Sequence, residues 1–142
     1  MALPTRFNIR VYGIWVQDGR VLVSEETIRG NKYLKFPGGG MELGEGAIDG
    51  LKREWKEELN IEIDVLEHFY TTDFFQPSAF DSSQVISIYY WVKAKEQVSY
   101  IVNNNENEYS YWLKIADITE DTFSLPIDKI VAKRLYSTFV DN

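Results

Sequence analysis

Residues 37–61, PGGGMELGEGAIDGLKREWKEELNI, restrict the fold more than any other stretch, because glycines crowd the first half and charges the second. A glycine-rich turn lets backbone approach a neighbour or ligand closely. The second half has helical spacing: Ile48, Leu51, Trp55 and Leu59 form a stripe predicted to face a core. Glu54, Glu57 and Glu58 lie at i, i+3 and i+4 and so share one neighbouring face. Clustered charge is usually just a solvated face. Here, however, Glu54 repels Glu58 and Lys52 repels Lys56 at i, i+4, at a cost of about 0.2–0.5 kcal/mol per pair. Arg53 alone finds opposite charges at that spacing, on Asp49 and Glu57. A helix shaped by its own stability would alternate the signs. Three converging carboxylates become inexpensive when a cation sits among them. Oxygen-only ligands favour a hard divalent ion, Mg²⁺ or alternatively Mn²⁺, which keeps several waters and bridges to substrate phosphates.

The loop itself is not a P-loop. Gly39 and Gly44 have that glycine spacing, but Glu45 and Gly46 stand where Lys and Ser/Thr are required, and no G-x-G-x-x-G occurs. Around it the chain alternates strand-like and turn-like segments. Phe7–Val16 and Val21–Ser24 read as strands joined at Asp18-Gly19, a tight-hairpin signal. Tyr33–Phe36, Glu62–Tyr70 and Val85–Ala94 come next, and Val98–Val102 with Tyr109–Ile115 reads as a further pair split by Asn103-Asn104-Asn105. Beyond Pro126, Ile127, Ile130, Val131, Leu135 and Phe139 keep helical spacing, which predicts an amphipathic final helix. About seven strands and two helices make an α+β domain over 1–142, with a mixed sheet covered by helices on both faces. At 44% apolar residues the chain can bury a real core. A net charge of −7 argues against a duplex nucleic-acid footprint or a basic membrane-binding face. With no cysteine, no leader-like start and no long apolar run, the expectation is a cytoplasmic domain without disulfides.

The quoted stretch resembles the Nudix box, G-x5-E-x7-R-E-U-x-E-E-x-G-U, where U is a bulky apolar residue. Gly39, Glu45, Arg53, Glu54, Glu57, Glu58 and Ile61 fall in register. Trp55 replaces the usual aliphatic residue, and Asn60 replaces the last glycine, as the next-best residue for a left-handed helix end. The resemblance implies an α/β/α sandwich, and an enzyme hydrolysing the pyrophosphate bond of a nucleoside diphosphate linked to a moiety X. It implies Glu54, Glu57, Glu58 and the Gly38 carbonyl as Mg²⁺ ligands, with Arg53 orienting the glutamates and Glu45 bracing Arg53 or the metal shell. The general base is either Glu57 or a glutamate of the loop before the last helix, here Glu106 or Glu108. The implied partner is a small nucleotide and not nucleic acid or membrane, with a homodimer left open.

For the substrate, an apolar or aromatic slot is needed for the base, and Tyr33, Phe36, Phe74 and Phe75 flank loops near the box. Pro77, 16 residues beyond Ile61 in FFQPSAF, resembles a marker of Nudix enzymes acting on ADP-ribose. The reading therefore leans to ADP-ribose or nucleotide sugars, against a MutT-like nucleoside triphosphate pyrophosphohydrolase and a non-catalytic ligand-sensing module. His68, the sole histidine, reads as a structural or surface residue.

Overall fold

The computed structural model describes residues 2–140. Its elements run β1 (Arg6–Ile14), β2 (Val16–Gln17), β3 (Arg20–Ile28), β4 (Asn31–Lys35), β5 (Gly38–Gly40), α1 (Ala47–Leu59), β6 (Ile63–Thr71), β7 (Ser83–Ala94), β8 (Glu108–Lys114) and α2 (Pro126–Phe139). One sheet has the order β5-β1-β7-β6 and is mixed, because β1 and β7 run parallel while the other pairs are antiparallel. In the second sheet β3 is central, with β8 along one edge and β2 and β4 along the other. The predicted first strand thus breaks at Trp15, so that its end joins the second sheet. Asp18 (φ 50°) and Gly19 (φ 74°) close the β2–β3 hairpin in the left-handed region, as their sequence predicts.

Side-chain alternation sends successive residues to opposite sides of the sheets. Val11, Trp15, Leu22 and Val92 face a core with Leu51, Trp55 and Leu59 of α1. Tyr12, Ile14, Val21, Val23 and Tyr89 face a second core with Ile127, Val131 and Leu135 of α2. Strands buried on both faces read as near-continuous apolar runs, and RVYGIW and SIYYWV are such runs. The result is the expected α+β sandwich with a helix on each face.

Three expectations need correction. Val98–Val102 is not a strand; Val98 and Ile101 pack against the α1 core, and β8 pairs with β3 instead. Ile48 is 45% exposed, so the buried stripe of α1 is Leu51, Trp55 and Leu59. Gly38–Gly40 is a short strand, its register fixed on β1 by Arg10↔Gly40 and Tyr12↔Gly38. Among the described residues no helix is long and apolar enough to cross a membrane.

Candidate active site

The box residues meet where α1 packs across β5 and β1. Glycine is dictated here by close approach. A Cβ on Gly38 (φ 156°) would lie 2.0 Å from the Val11 carbonyl oxygen, and one on Gly39 2.5 Å from a Glu54 carboxylate oxygen. The Glu54 carboxylate therefore rests directly on the loop backbone. Arg53 organises the rest. Its Nε and Nη2 donate to the two oxygens of Glu45 at 2.8 and 2.9 Å, and Nη2 also donates to the Gly40 carbonyl at 3.0 Å. Nη1 donates to Glu54 (3.2 Å) and Glu57 (3.1 Å). All five guanidinium N–H groups are thereby used. The Arg53 bonds hold the Glu45 carboxyl down at about 2, helped by the Glu42 N–H, and Arg53 itself is pushed up.

The two departures from the box pattern have local reasons. The Trp55 ring lies against Gly13, where a Cβ would be 2.8 Å away, and its indole Nε1 donates to the Pro37 carbonyl at 3.0 Å. Asn60 has φ 59° and ψ 29°, the left-handed conformation that ends α1.

Burial pushes the carboxyls of Glu54 and Glu58 above their ordinary range; for Glu58 the nearby charges of Glu108 and Glu54 push further in the same direction. Glu108, its side chain only 7% exposed, lies 3.4 Å from the ammonium of Lys35, which also pairs with Glu26 at 2.9 Å. Burial works against the charge on Lys35, but Tyr12, Glu108 and Glu26 outweigh it and raise its pKa. The structure thus brings Glu108 beside the acidic helix, whereas Glu106 sits on the exposed tip of the turn.

Among the described residues no three carboxylates form a ready-made metal cage, because Glu57 and Glu54 are turned toward Arg53. The donor set nevertheless suits a hard cation. Crowded, partly buried carboxylates of Glu54 and Glu58 carry negative charge that a divalent ion would offset, with water and phosphate as its further ligands when bound.

Beside this cluster lies a cavity of about 400 Å³, within the range of small-ligand sites. Tyr12, Tyr33, Pro77, Phe80 and Tyr89 contribute to its walls, and Arg10, Glu26 and Lys35 form its edge toward the carboxylates. Of the candidate substrate contacts Tyr33, Phe36, Phe74, Phe75 and Pro77, only Tyr33 and Pro77 line it. Phe36 is a core residue, fully buried and stacked on Phe123 at 4.8 Å, while Phe74 and Phe75 are 39% and 54% exposed and lie outside the lining. A deeper wall is Asp128, whose Oδ1 accepts from the Tyr89 hydroxyl at 2.7 Å. Burial raises the Asp128 carboxyl to about 6, against the opposing pull of Tyr89. Sequence reasoning missed Lys35, Arg10 and Asp128. The one available signal was a lysine set inside the otherwise apolar run YLKFP. His68 is exposed and bonds Thr71 at 2.7 Å, a surface role as expected.

The fold and the glycine-packed glutamate helix are those of the Nudix class of hydrolases. The NUDIX domain family model matches residues 4–134, and the chain belongs to that family. Similar solved structures include the E. coli ORF135 protein, at 18% identity and TM-score 0.75, covering 97% of this chain and 94% of that one. The MutT protein of Methanosarcina mazei Go1 is 20% identical with a TM-score of 0.74, over 94% of this chain and 96% of its own. A MutT Nudix hydrolase from Burkholderia pseudomallei is 16% identical with a TM-score of 0.74, over 91% and 98%. At these identities the likeness is one of fold. No curated protein sequence matches the chain significantly.

Proposed function

We propose that the chain hydrolyses the pyrophosphate bond of a nucleoside diphosphate linked to X, with the nucleoside in the Pro77 cavity and the diphosphate at the glutamates of α1. The observation that carries this reading is adjacency: Lys35 and Arg10 line an aromatic-walled cavity and at the same time lie within charge reach of Glu108, Glu58 and Glu54. Glu54, Glu57, Glu58 and the Gly38 carbonyl would hold Mg²⁺ or Mn²⁺, which supplies charge neutralisation for the phosphoryl oxygens. Arg53 orients Glu54 and Glu57 by direct bonds, and Glu45 fixes Arg53 from behind. Glu108 or Glu57 takes the proton of the attacking water; Glu108 is favoured by its place beside Glu58, enclosed at the edge of the acidic helix. Lys35 and Arg10 then offer positive charge to the phosphates at the cavity edge.

For X, the position of Pro77 in the cavity wall supports ADP-ribose or a nucleotide sugar. The MutT names of structurally similar proteins favour a second reading, a nucleoside triphosphate. A panel of ADP-ribose, nucleotide sugars, canonical dNTPs and 8-oxo-dGTP, run with Mg²⁺ and with EDTA, separates the two. Glu57→Gln and Glu58→Gln are expected to lower kcat by at least about 10²-fold with folding retained. Near-full turnover of both at saturating Mg²⁺ would remove the metal assignment.

A further inference from the structure

Asn60 stands where the box has glycine, and its backbone does what glycine would do. The left-handed turn puts the Asn60 N–H on the Lys56 carbonyl at 3.1 Å and the Ile61 N–H on the Trp55 carbonyl at 3.4 Å. The side chain does something glycine cannot. Its Nδ2 donates to Asn104 Oδ1 at 2.9 Å, and Asn104 Nδ2 returns a bond to Asn60 Oδ1 at 3.1 Å. Asn60 Nδ2 also reaches the Val102 carbonyl at 3.3 Å.

Asn104 meanwhile covers the end of α1. Its backbone N–H donates to the Glu58 carbonyl at 2.9 Å, and its Nδ2 bonds the Glu57 carbonyl. These are two of the last four carbonyls of the helix, which have no partner within it. The segment that makes these contacts is closed upon itself. Asn103 exchanges two bonds with Ser110 (2.9 and 2.8 Å), and the Glu108 N–H donates to the Asn105 carbonyl at 3.0 Å. A braced loop is therefore bolted to the last turn of α1 at one point, shortly before Glu108.

We propose that the reciprocal amide pair Asn60–Asn104 is a clamp that positions Glu108 against the carboxylate face of α1, and that Asn60 and Asn104 are positioning residues for hydrolysis. This role rests on Glu58 and Glu108 acting in the reaction as proposed for them. It also accounts for a departure from the family pattern: a glycine at position 60 would cap the helix and leave the loop without its side-chain tie.

Asn60→Gly is the informative variant, because it keeps the left-handed cap and removes only the amide. The expected result is an unchanged melting temperature, kcat lower by about 10-fold on the fastest substrate of the panel, and KM within about twofold of wild type. Amide exchange in the free protein should accelerate by about 10-fold over residues 102–108 and stay unchanged in the middle of α1. Asn104→Ala, which also removes the bond to the Glu57 carbonyl, should lower kcat at least as much, and the double variant should lose less than the two effects combined, since the reciprocal pair is common to both. Faster exchange with full kcat would overturn the positioning role and leave a merely structural clamp. Unchanged exchange would overturn the clamp itself. Full activity of Glu108→Gln would instead remove the reading of Glu108, and no turnover across the panel would remove the proposed function, while the exchange result would still judge the clamp.

Discussion

Asp128 shows how one buried atom pair can set a pH response. Its carboxyl is enclosed, bonded to Tyr89, and titrates near 6 against an ordinary 3.8. The folded chain thus holds the proton more tightly than the unfolded one. Below about pH 4 both forms are protonated and the group has no cost; between about pH 4 and 6 the unfolded chain ionises while the fold keeps its proton, and stability falls, by at most about 3 kcal/mol in all. Asp128→Asn keeps an acceptor for Tyr89 and cannot ionise. Its stability relative to wild type should therefore rise between about pH 4 and 7, measured by urea unfolding at intervals across that window. Parallel curves for the two proteins would show that Asp128 is not the group responsible. At this scale the sequence was partly legible. Arg53 and the glutamates were visible because their spacing is fixed, and the fold joins Arg53 to Glu45, Glu54 and Glu57. Asp128 was not, since an acid in the first turn of a helix has an ordinary reason to be there.

At the scale of elements, α1 is held to the sheet by a fit between one large and one absent side chain. Trp55 fills the space over Gly13 and bonds the carbonyl of Pro37, which also accepts the Gly13 N–H at 2.9 Å. Helix, strand and box loop thus meet at one carbonyl. Trp55→Leu is expected to cost about 2–4 kcal/mol through lost packing and the lost donor. Gly13→Ala should cost more than about 1 kcal/mol beside Trp55 and almost nothing in the Trp55→Leu background, a coupling of about 1 kcal/mol or more. Additive effects in a denaturation cycle would refute this fit. The elements themselves were largely readable from period and turn chemistry: α1, α2 and the Asp18-Gly19 hairpin stand where the pattern places them. Val98–Val102 did not, because Val98 and Ile101 are satisfied by packing on the α1 core, and β8 found its ladder on β3. Alternation reports burial on one face and says nothing of which edge is open.

At the scale of the whole molecule, the loop between β6 and β7 forms one wall of the cavity in which the proposed function seats the nucleoside. Pro77 bridges to Gln84 at the start of β7, and Phe80 meets Tyr33 edge-on at 5.2 Å across the mouth. Proline holds this lip in one shape. Pro77→Gly is expected to raise KM for ADP-ribose or a nucleotide sugar by about 3–10-fold while kcat changes less, as read from initial rates. An equal fall in kcat would place Pro77 in the chemistry and not in binding. The parallel pairing of β1 with β7 has a consequence of another kind. It joins residues some 77 positions apart, as the Thr5–Ser82 contact marks. Contacts so distant must overcome loop-closure entropy before they repay it, which slows folding. On the ribosome, the whole glutamate helix emerges before the strand that completes its sheet. The acidic face is therefore synthesised early and assembled late, and the nascent chain carries its site unformed until β7 has been made.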